Sequence, residues 1–416
     1  MATYTHRNRA AAAFLLFFVF APGFLAASGY EFDGIGARSM ARGGAVIADA
    51  ADWSAIYWNP ANLADVKARE AGLELKKGRS HSYDGNSFSL KDPNFPTDAF
   101  AKKHVESTFF FGSLGAAVPL GDNSAFGAGF YTPLLQGSDF KDAGLPSNTQ
   151  YNSIDYEGFA SIMVANFSYA RKVSEKLSLA LGVNAIRGSL SSDAKIGVNL
   201  LAPGTLHKEL DGTGFGTEGI IGAKYRLSDA FSAGAVFRTG ANVKIEGEAE
   251  ASLLGTVEKS DFKFTLMQPA TSGLGAAWRY RRNLTFTCDL TQTWWKGFSN
   301  AMTYQTPGAM LADQAKTYDW KNSYKFRAGA LWAYNEHTDF MAGYAYDTPA
   351  IDAGSLDHAS AIDVHMHRFS AAASRRWGGL EATLGMLAGD FTTRKAGGVK
   401  YGLGGGYVMG EVKYKF

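Results

Sequence analysis

The sequence predicts an all-β fold: a 14-stranded antiparallel transmembrane β-barrel with a small N-terminal helical hatch plugging the lumen. Three observations predict it. An export peptide opens the chain. Many ten-residue segments alternate apolar with small or polar residues, the period of a strand. The links between those segments then alternate between tight and long, as short periplasmic turns and longer external loops do in an outer-membrane barrel.

Residues 1–28 read as the export peptide. Arg7 and Arg9 form a basic start, Ala10 to Phe20 an apolar run, and Ala26-Ala27-Ser28 offers small residues for cleavage near Ser28. A membrane-spanning helix needs about 20 apolar residues, and this run is shorter. The exported chain has one cysteine, Cys288, which excludes an intrachain disulfide framework. A net charge of +2 argues against a nucleic-acid partner. No linker or composition shift follows residue 70, so residues 69–416 read as one large sheet.

Residues 29–68 differ. In DAADWSAIYWNPANLADV, Asp52 can cap a helix starting at Trp53. Asn59 can cap a second one with Pro60 at its first position, where proline is tolerated. Roughly 40 residues cannot bury a core alone, so the segment needs the barrel as its walls.

Strands are expected near 69–78, 105–119, 124–133, 158–171, 177–190, 213–227, 231–246, 261–280, 283–296, 322–335, 338–347, 364–377, 379–390 and 399–416. Tight turns fall at 121–123, 174–176, 228–230, 335–337 and near Gly378. Longer links fall at 79–104, 134–157, 191–212, 247–260, 297–321, 348–363 and 391–398. The ninth strand shows the pattern. Leu284, Phe286, Cys288, Leu290 and Trp294 share one face, and Thr285, Thr287, Asp289, Thr291 and Thr293 share the other. Aromatics make up 13% of residues and gather at the ends of the apolar faces, as at a membrane interface. On the last strand Val408, Val412, Tyr414 and Phe416 share a face; a terminal Phe there resembles the signal read by the barrel assembly machinery.

GARSMARGGAVIADAADWSAIYWNPANLA resembles the N-terminal hatch of the FadL family of outer-membrane long-chain fatty acid transporters (OMPP1/FadL/TodX-like), with Asn59, Pro60 and Ala61 as its Asn-Pro-Ala motif. The similarity continues through FSYARKVSEKLSLALGVNAIRG, GAKYRLSDAFSAGAVFRTGANVKIEGE and YKFRAGALWAYNEHTDFMAGYAYDTPAI. It implies a monomeric, hatch-plugged barrel in the bacterial outer membrane. Such a barrel takes up hydrophobic compounds passively, through a lateral gap in its wall, with no cofactor and no catalysis. Its partners would be a hydrophobic small molecule, fatty acid or hydrocarbon, and the surrounding outer-membrane lipid and lipopolysaccharide.

Candidate ligand residues follow from parity and from the resemblance. Phe109 and Phe111 oppose Phe110 and Leu114; Ile162 and Val164 oppose Met163 and Phe167; all four point to the lumen. A twelve-methylene tail buried there gains roughly 10 kcal/mol at most. Lys321, Lys325 and Arg327 share a lumen face and could meet a carboxylate; the resemblance places a ligand-contacting lysine at Lys321. The family's second basic contact falls near Ser189, which is uncharged; this makes a hydrocarbon more credible as the alternative, while the resemblance makes long-chain fatty acids the expected substrate. Gly127, Gly129 and Pro133 predict a distortion in the third strand, where the resemblance implies the wall opens. His365 and His367 share a face but lack an acidic or Cys neighbour in the sequence, so no metal is expected. Alternative functions are hydrocarbon uptake, a lipid-modifying barrel enzyme, for which no catalytic cluster is evident, and a phage receptor or adhesin.

Overall fold

The computed structural model describes residues 24–25, 33–84, 105–140, 151–199, 203–298, 300–316, 319–353, 361–391, 393–396 and 399–416. Fourteen staves close an antiparallel barrel. They are β1 (Glu70–Asp84), β2 (Val105–Pro119), β3 (Ser124–Phe140), β4 (Tyr151–Lys172), β5 (Leu177–Asn199), β6 (Pro203–Arg226), β7 (Phe231–Arg238 and Ala241–Leu253) and β8 (Thr256–Gln268 and Thr271–Arg281). The circuit continues with β9 (Leu284–Thr293), β10 (Ser323–Ala333), β11 (Thr338–Asp347), β12 (Met366–Trp377), β13 (Leu380–Phe391) and β14 (Val399–Lys415). The last stave pairs with the first, from Glu70↔Lys415 to Asp84↔Tyr401. Closure joins the two ends of the sheet, which in hydrocarbon matters because an unpaired backbone group there costs several kcal/mol.

The faces follow the sequence period. On β5, Leu179, Leu181 and Val183 point outward and are exposed, while Ala180, Asn184 and Ile186 are buried toward the lumen. On β10, Tyr324 and Phe326 point outward, and Lys325 and Arg327 point inward.

Strand ends are where the structure departs from expectation. The link 191–212, expected to be a loop, is mostly a hairpin: β5 runs to Asn199 and β6 begins at Pro203. Its polar Ser-Ser-Asp-Ala-Lys stretch conceals a continuing inward face of Ala194, Ile196 and Val198. The link 247–260 is likewise strand on both sides of a two-residue turn, Leu254-Gly255, both with positive φ. Conversely, β7 and β8 each break once, at Thr239-Gly240 and Pro269-Ala270. Beyond β9 the chain turns inward over Trp295–Phe298 before Asn300–Tyr304 rejoins the wall beside β8.

The hatch fills the lumen with two short helices, α1 (Ala37–Met40) and α2 (Ala55–Trp58), and a 3₁₀ turn over Pro60–Asp65. Asp52 does not cap a helix starting at Trp53. The helix begins at Ala55, and the Asp52 carboxylate instead accepts from the Ser54 amide (3.0 Å) and hydroxyl (2.6 Å), a local turn that delays the start. Asn59 does cap the following turn, accepting from the Ala61 amide at 3.1 Å with Pro60 at its first position. Wall glycines admit the hatch. A Cβ on Gly343 would lie 1.9 Å from the Gly43 amide nitrogen, and one on Gly72 2.0 Å from the Trp53 indole nitrogen. The export peptide expected at 1–28 lies outside the described residues apart from Phe24–Leu25.

Candidate substrate cavity and wall gap

The hatch meets the barrel differently on its two sides. Toward β11–β14 and β1 it is held by charge. Arg38 donates to Asp339 and to Glu381, each at 2.8 Å. Lys413 lies 3.8 Å from Asp52 and 3.5 Å from Glu381. The Trp53 amide donates to Glu70 (2.7 Å) and its indole to Glu411 (3.0 Å). Arg368 bridges Asp33 and Asp347. Burial works to raise the Asp52 carboxyl, yet the Lys413 ammonium, the Ser54 hydroxyl and Arg38 together hold it below the ordinary range.

Toward β3–β10 the hatch presents Ile47, Tyr57 and Trp58 to a cavity of about 130 Å³. Tyr131, Val164, Val236 and Trp295 supply more of its apolar lining, and Arg238, Lys325, Arg327 and Glu218 its charge. The inward excursion after β9 roofs it: Trp295 is fully buried, stacks on Trp320 at 4.8 Å between centroids, and meets Phe298 edge-on at 5.8 Å.

The cavity also touches Pro133, at a break in the wall. β2 and β3 pair from Pro119↔Ala125 up to Ser113↔Tyr131. Beyond that level β2 continues against β1 to Val105↔Ser82, and β3 continues against β4 from Leu134↔Ile162 to Phe140↔Tyr156. Among the described residues the two staves are no longer paired to each other there. The register of β3 slips between Tyr131 and Leu134, where Pro133 lacks an amide donor. The slip lies eight to eleven residues beyond the tight turn at 121–123, roughly 26–36 Å along the strand at ~3.3 Å per residue. On a stave tilted by about 45° that is roughly 19–26 Å of height, the upper part of an apolar band about 25 Å tall, and the exposed Phe110, Phe130 and Met163 flank this level of the wall.

The candidate residues sort as follows. Lys325, Arg327 and Val164 line the cavity. Arg327 sits over the Trp58 ring (5.8 Å) and donates to Thr291 at 3.2 Å; Lys325 is buried 3.8 Å from Asp347. Ile162 is fully buried beside Val164 but is not part of the lining. Lys321 lies apart from the cavity: it is 59% exposed and paired with Asp352 at 2.5 Å. Phe111 faces inward beneath the Lys76 ammonium, 5.6 Å from its ring centre, and the Phe109 side chain lies outside the described residues. Gly127 and Gly129 face the hatch: a Cβ on either would strike Ile56, at 2.7 and 2.3 Å. Asn59 donates to the carbonyls of Ile47 (2.8 Å) and Ala223 (2.9 Å), tying the hatch motif to β6, while Pro60 and Ala61 are buried against it. His365 and His367 meet Tyr346 and Tyr344 through 2.7 Å hydrogen bonds.

Sequence reasoning missed Tyr57, Trp58, Tyr131, Arg238 and Trp295. Parity alone could have found Tyr131 and Trp295, since each is one step from an outward neighbour, Phe130 or Trp294. Arg238 shares the inward parity of Val236, but its partners Tyr57 and Tyr131 are remote in sequence.

The sequence matches the family model "Outer membrane protein transport protein (OMPP1/FadL/TodX)" over residues 13–359. Comparison with curated protein sequences finds no match. Among solved structures, a Pseudomonas aeruginosa FadL homologue is 15% identical, with a TM-score of 0.77 over 93% of this chain and 100% of that one. The P. putida toluene transporter TodX is 18% identical, with 0.74 over 93% and 99%. The Ralstonia pickettii toluene transporter TbuX is 17% identical, with 0.72 over 92% and 99%. At such identities these likenesses speak for the fold. The family match covers most of the chain, and the protein belongs to the OMPP1/FadL/TodX family of bacterial outer-membrane transporters of hydrophobic compounds.

Proposed function

We propose that this barrel conducts compact apolar molecules, of the one-ring hydrocarbon class, passively from outside into the cavity and sideways through the β2–β3 gap. The observation that carries this reading is one aromatic-lined space of about 130 Å³ that abuts the break at Tyr131–Pro133. By size a space of this order suits one ring, since an enclosed apolar cavity of roughly 150 Å³ holds benzene; here Glu218, Arg238, Lys325 and Arg327 add charge to the lining. A long-chain fatty acid needs several times that volume and would extend out of the cavity's open side. Seven carbons at roughly 0.8 kcal/mol each gain about 5–6 kcal/mol at most, a dissociation constant on the order of 0.1 mM. Occupancy that weak needs no energy source for release, whereas a long tail would be held far more tightly. The toluene transporters among the structural neighbours point the same way. Nothing in this route asks for catalysis, and the chain reads as a channel rather than an enzyme.

One observation favours fatty acids: Lys325 and Arg327 line the cavity. A carboxylate arriving there competes with Asp347 for Lys325. Proteoliposomes separate the two readings. Toluene entry is expected for the wild type and should be little changed in Lys325→Met. Oleate entry that exceeds toluene entry and collapses in Lys325→Met and Arg327→Met would shift the assignment to fatty acids.

A further inference from the structure

Arg238 stands where the hatch, the cavity and the wall gap meet. Its guanidinium donates to the Tyr57 carbonyl of the hatch and lies 4.7 Å over the Tyr57 ring. It hydrogen-bonds the Tyr131 side chain. It also donates to Glu218 at 3.1 Å. Glu218 is in turn held by Asn184 at 2.5 Å, and Asn184 by Asn166 at 2.6 Å, so the anion is fixed from the neighbouring staves. The fork geometry of a guanidinium allows these bonds to be made together, which an ammonium on a flexible stem does less well.

The two residues so joined close a path. Tyr131 is the last residue of β3 paired to β2, points inward and is 2% exposed. Tyr57 meets it edge to face, 5.6 Å between centroids. Both line the cavity, and Pro133 lies beyond them at the slip. Resting on the reading of a lateral exit, we propose that Tyr131 and Tyr57 are the two leaves of its gate. Arg238, charge-balanced by Glu218, is the clasp that keeps the leaves together. Tyr131 would thereby set the size of molecule that leaves, and Arg238 would be a positioning residue acting through it. A ligand in the cavity meets both rings and the clasp, so occupancy and opening are coupled through a single side chain.

The test is made on the full barrel in proteoliposomes, in a Cys288→Ser background because Cys288 is exposed. Two readouts are taken. The first is entry of toluene and of the two-ring naphthalene. The second is labelling of a thiol at Val164→Cys, inside the cavity, by a maleimide dissolved in the bilayer. Loss of a charged hydrogen bond is expected to raise labelling about tenfold in Arg238→Gln. Tyr131→Ala should raise it at least as much and should lift naphthalene entry relative to toluene. Tyr131→Phe, which keeps the leaf and loses the hydroxyl, should fall between wild type and Arg238→Gln. Arg238→Lys, which keeps the charge but not the fork, guards against misfolding and should label between wild type and Arg238→Gln. Unchanged labelling in both Arg238→Gln and Tyr131→Ala overturns the gate. Raised labelling without entry of any hydrocarbon in any variant upholds the gate and instead removes the transport reading.

Discussion

The two sides of the hatch are built by different chemistry. Toward β11–β14 and β1, buried ions and indole hydrogen bonds cross from hatch to wall at Arg38, Asp52, Trp53 and Asp33. Toward β3–β10, aromatic rings border a cavity; beside it Arg238 holds the Tyr57 carbonyl, and further ties run from Asn59 to Ala223, from the Ile47 amide to Asp289 and from Asp65 to Lys172 and Lys224. A desolvated ion pair is costly to break because each half is left unsatisfied. Ring contacts exchange for other apolar contacts at little cost. The first side is suited to staying, and the second to opening beside a gap in the wall. A substrate would then pass without the whole plug leaving.

The largest way to break this asymmetry is on the bolted side. Arg38→Ala takes from Asp339 and Glu381 their shared partner, leaving them to Arg376 and Lys413, and is expected to cost about 3 kcal/mol through two lost charged hydrogen bonds. It should appear as a lowered unfolding midpoint in detergent and as protease access to the hatch. A smaller break is steric. In Gly343→Ala the new methyl meets the Gly43 amide nitrogen, with an expected cost of about 1–3 kcal/mol in the same unfolding assay. Asn59→Ala removes a cap and two donor bonds and should cost about 0.5–2 kcal/mol.

Acid sharpens the comparison. The Asp52 carboxyl is depressed in the folded state, so its contribution is present above the unfolded value near ~3.9 and is lost as pH falls through the folded one. Lys413, Arg38, Glu70, Glu381 and Glu411 surround it. Protease access to the hatch should therefore rise only in strong acid, and Asp52→Asn should flatten that rise. The smallest effect is expected at Lys321→Ala. It removes an exposed, solvent-screened ion pair distant from the cavity, so toluene entry should stay near wild type.

Much of this was legible in the sequence because a barrel writes its faces in alternate residues. Lys325 against Tyr324, Val164 against Met163 and Phe111 against Phe110 were placed by parity, and the distortion at Pro133 was read from the glycines and proline of that strand. Parity does not tell where a strand ends. The Ser191–Lys195 stretch looked like loop because its outward face lies beyond the apolar band, where polar residues are at home. Nor does parity give distance across the lumen. Lys321 and Lys325 share a face, yet one is paired with Asp352 outside the cavity and the other lines it. Arg238 escaped because its meaning depends on Tyr57 and Tyr131, which are remote in sequence and joined only when the hatch is seated.

The most direct measurement narrows the gap itself. Thr132 and Gly112 face one another across the last contact of β3 with β2, hydroxyl to carbonyl at 3.5 Å. In a Cys288→Ser background, the double substitution Gly112→Cys and Thr132→Cys offers a disulfide that ties β2 to β3 at the lower lip of the gap and narrows it. Toluene entry into proteoliposomes is followed before oxidation, after it, and after reduction. Entry that falls on oxidation and returns on reduction is the predicted result. Entry at the same rate with the gap narrowed would contradict a lateral route and leave the lumen as the path.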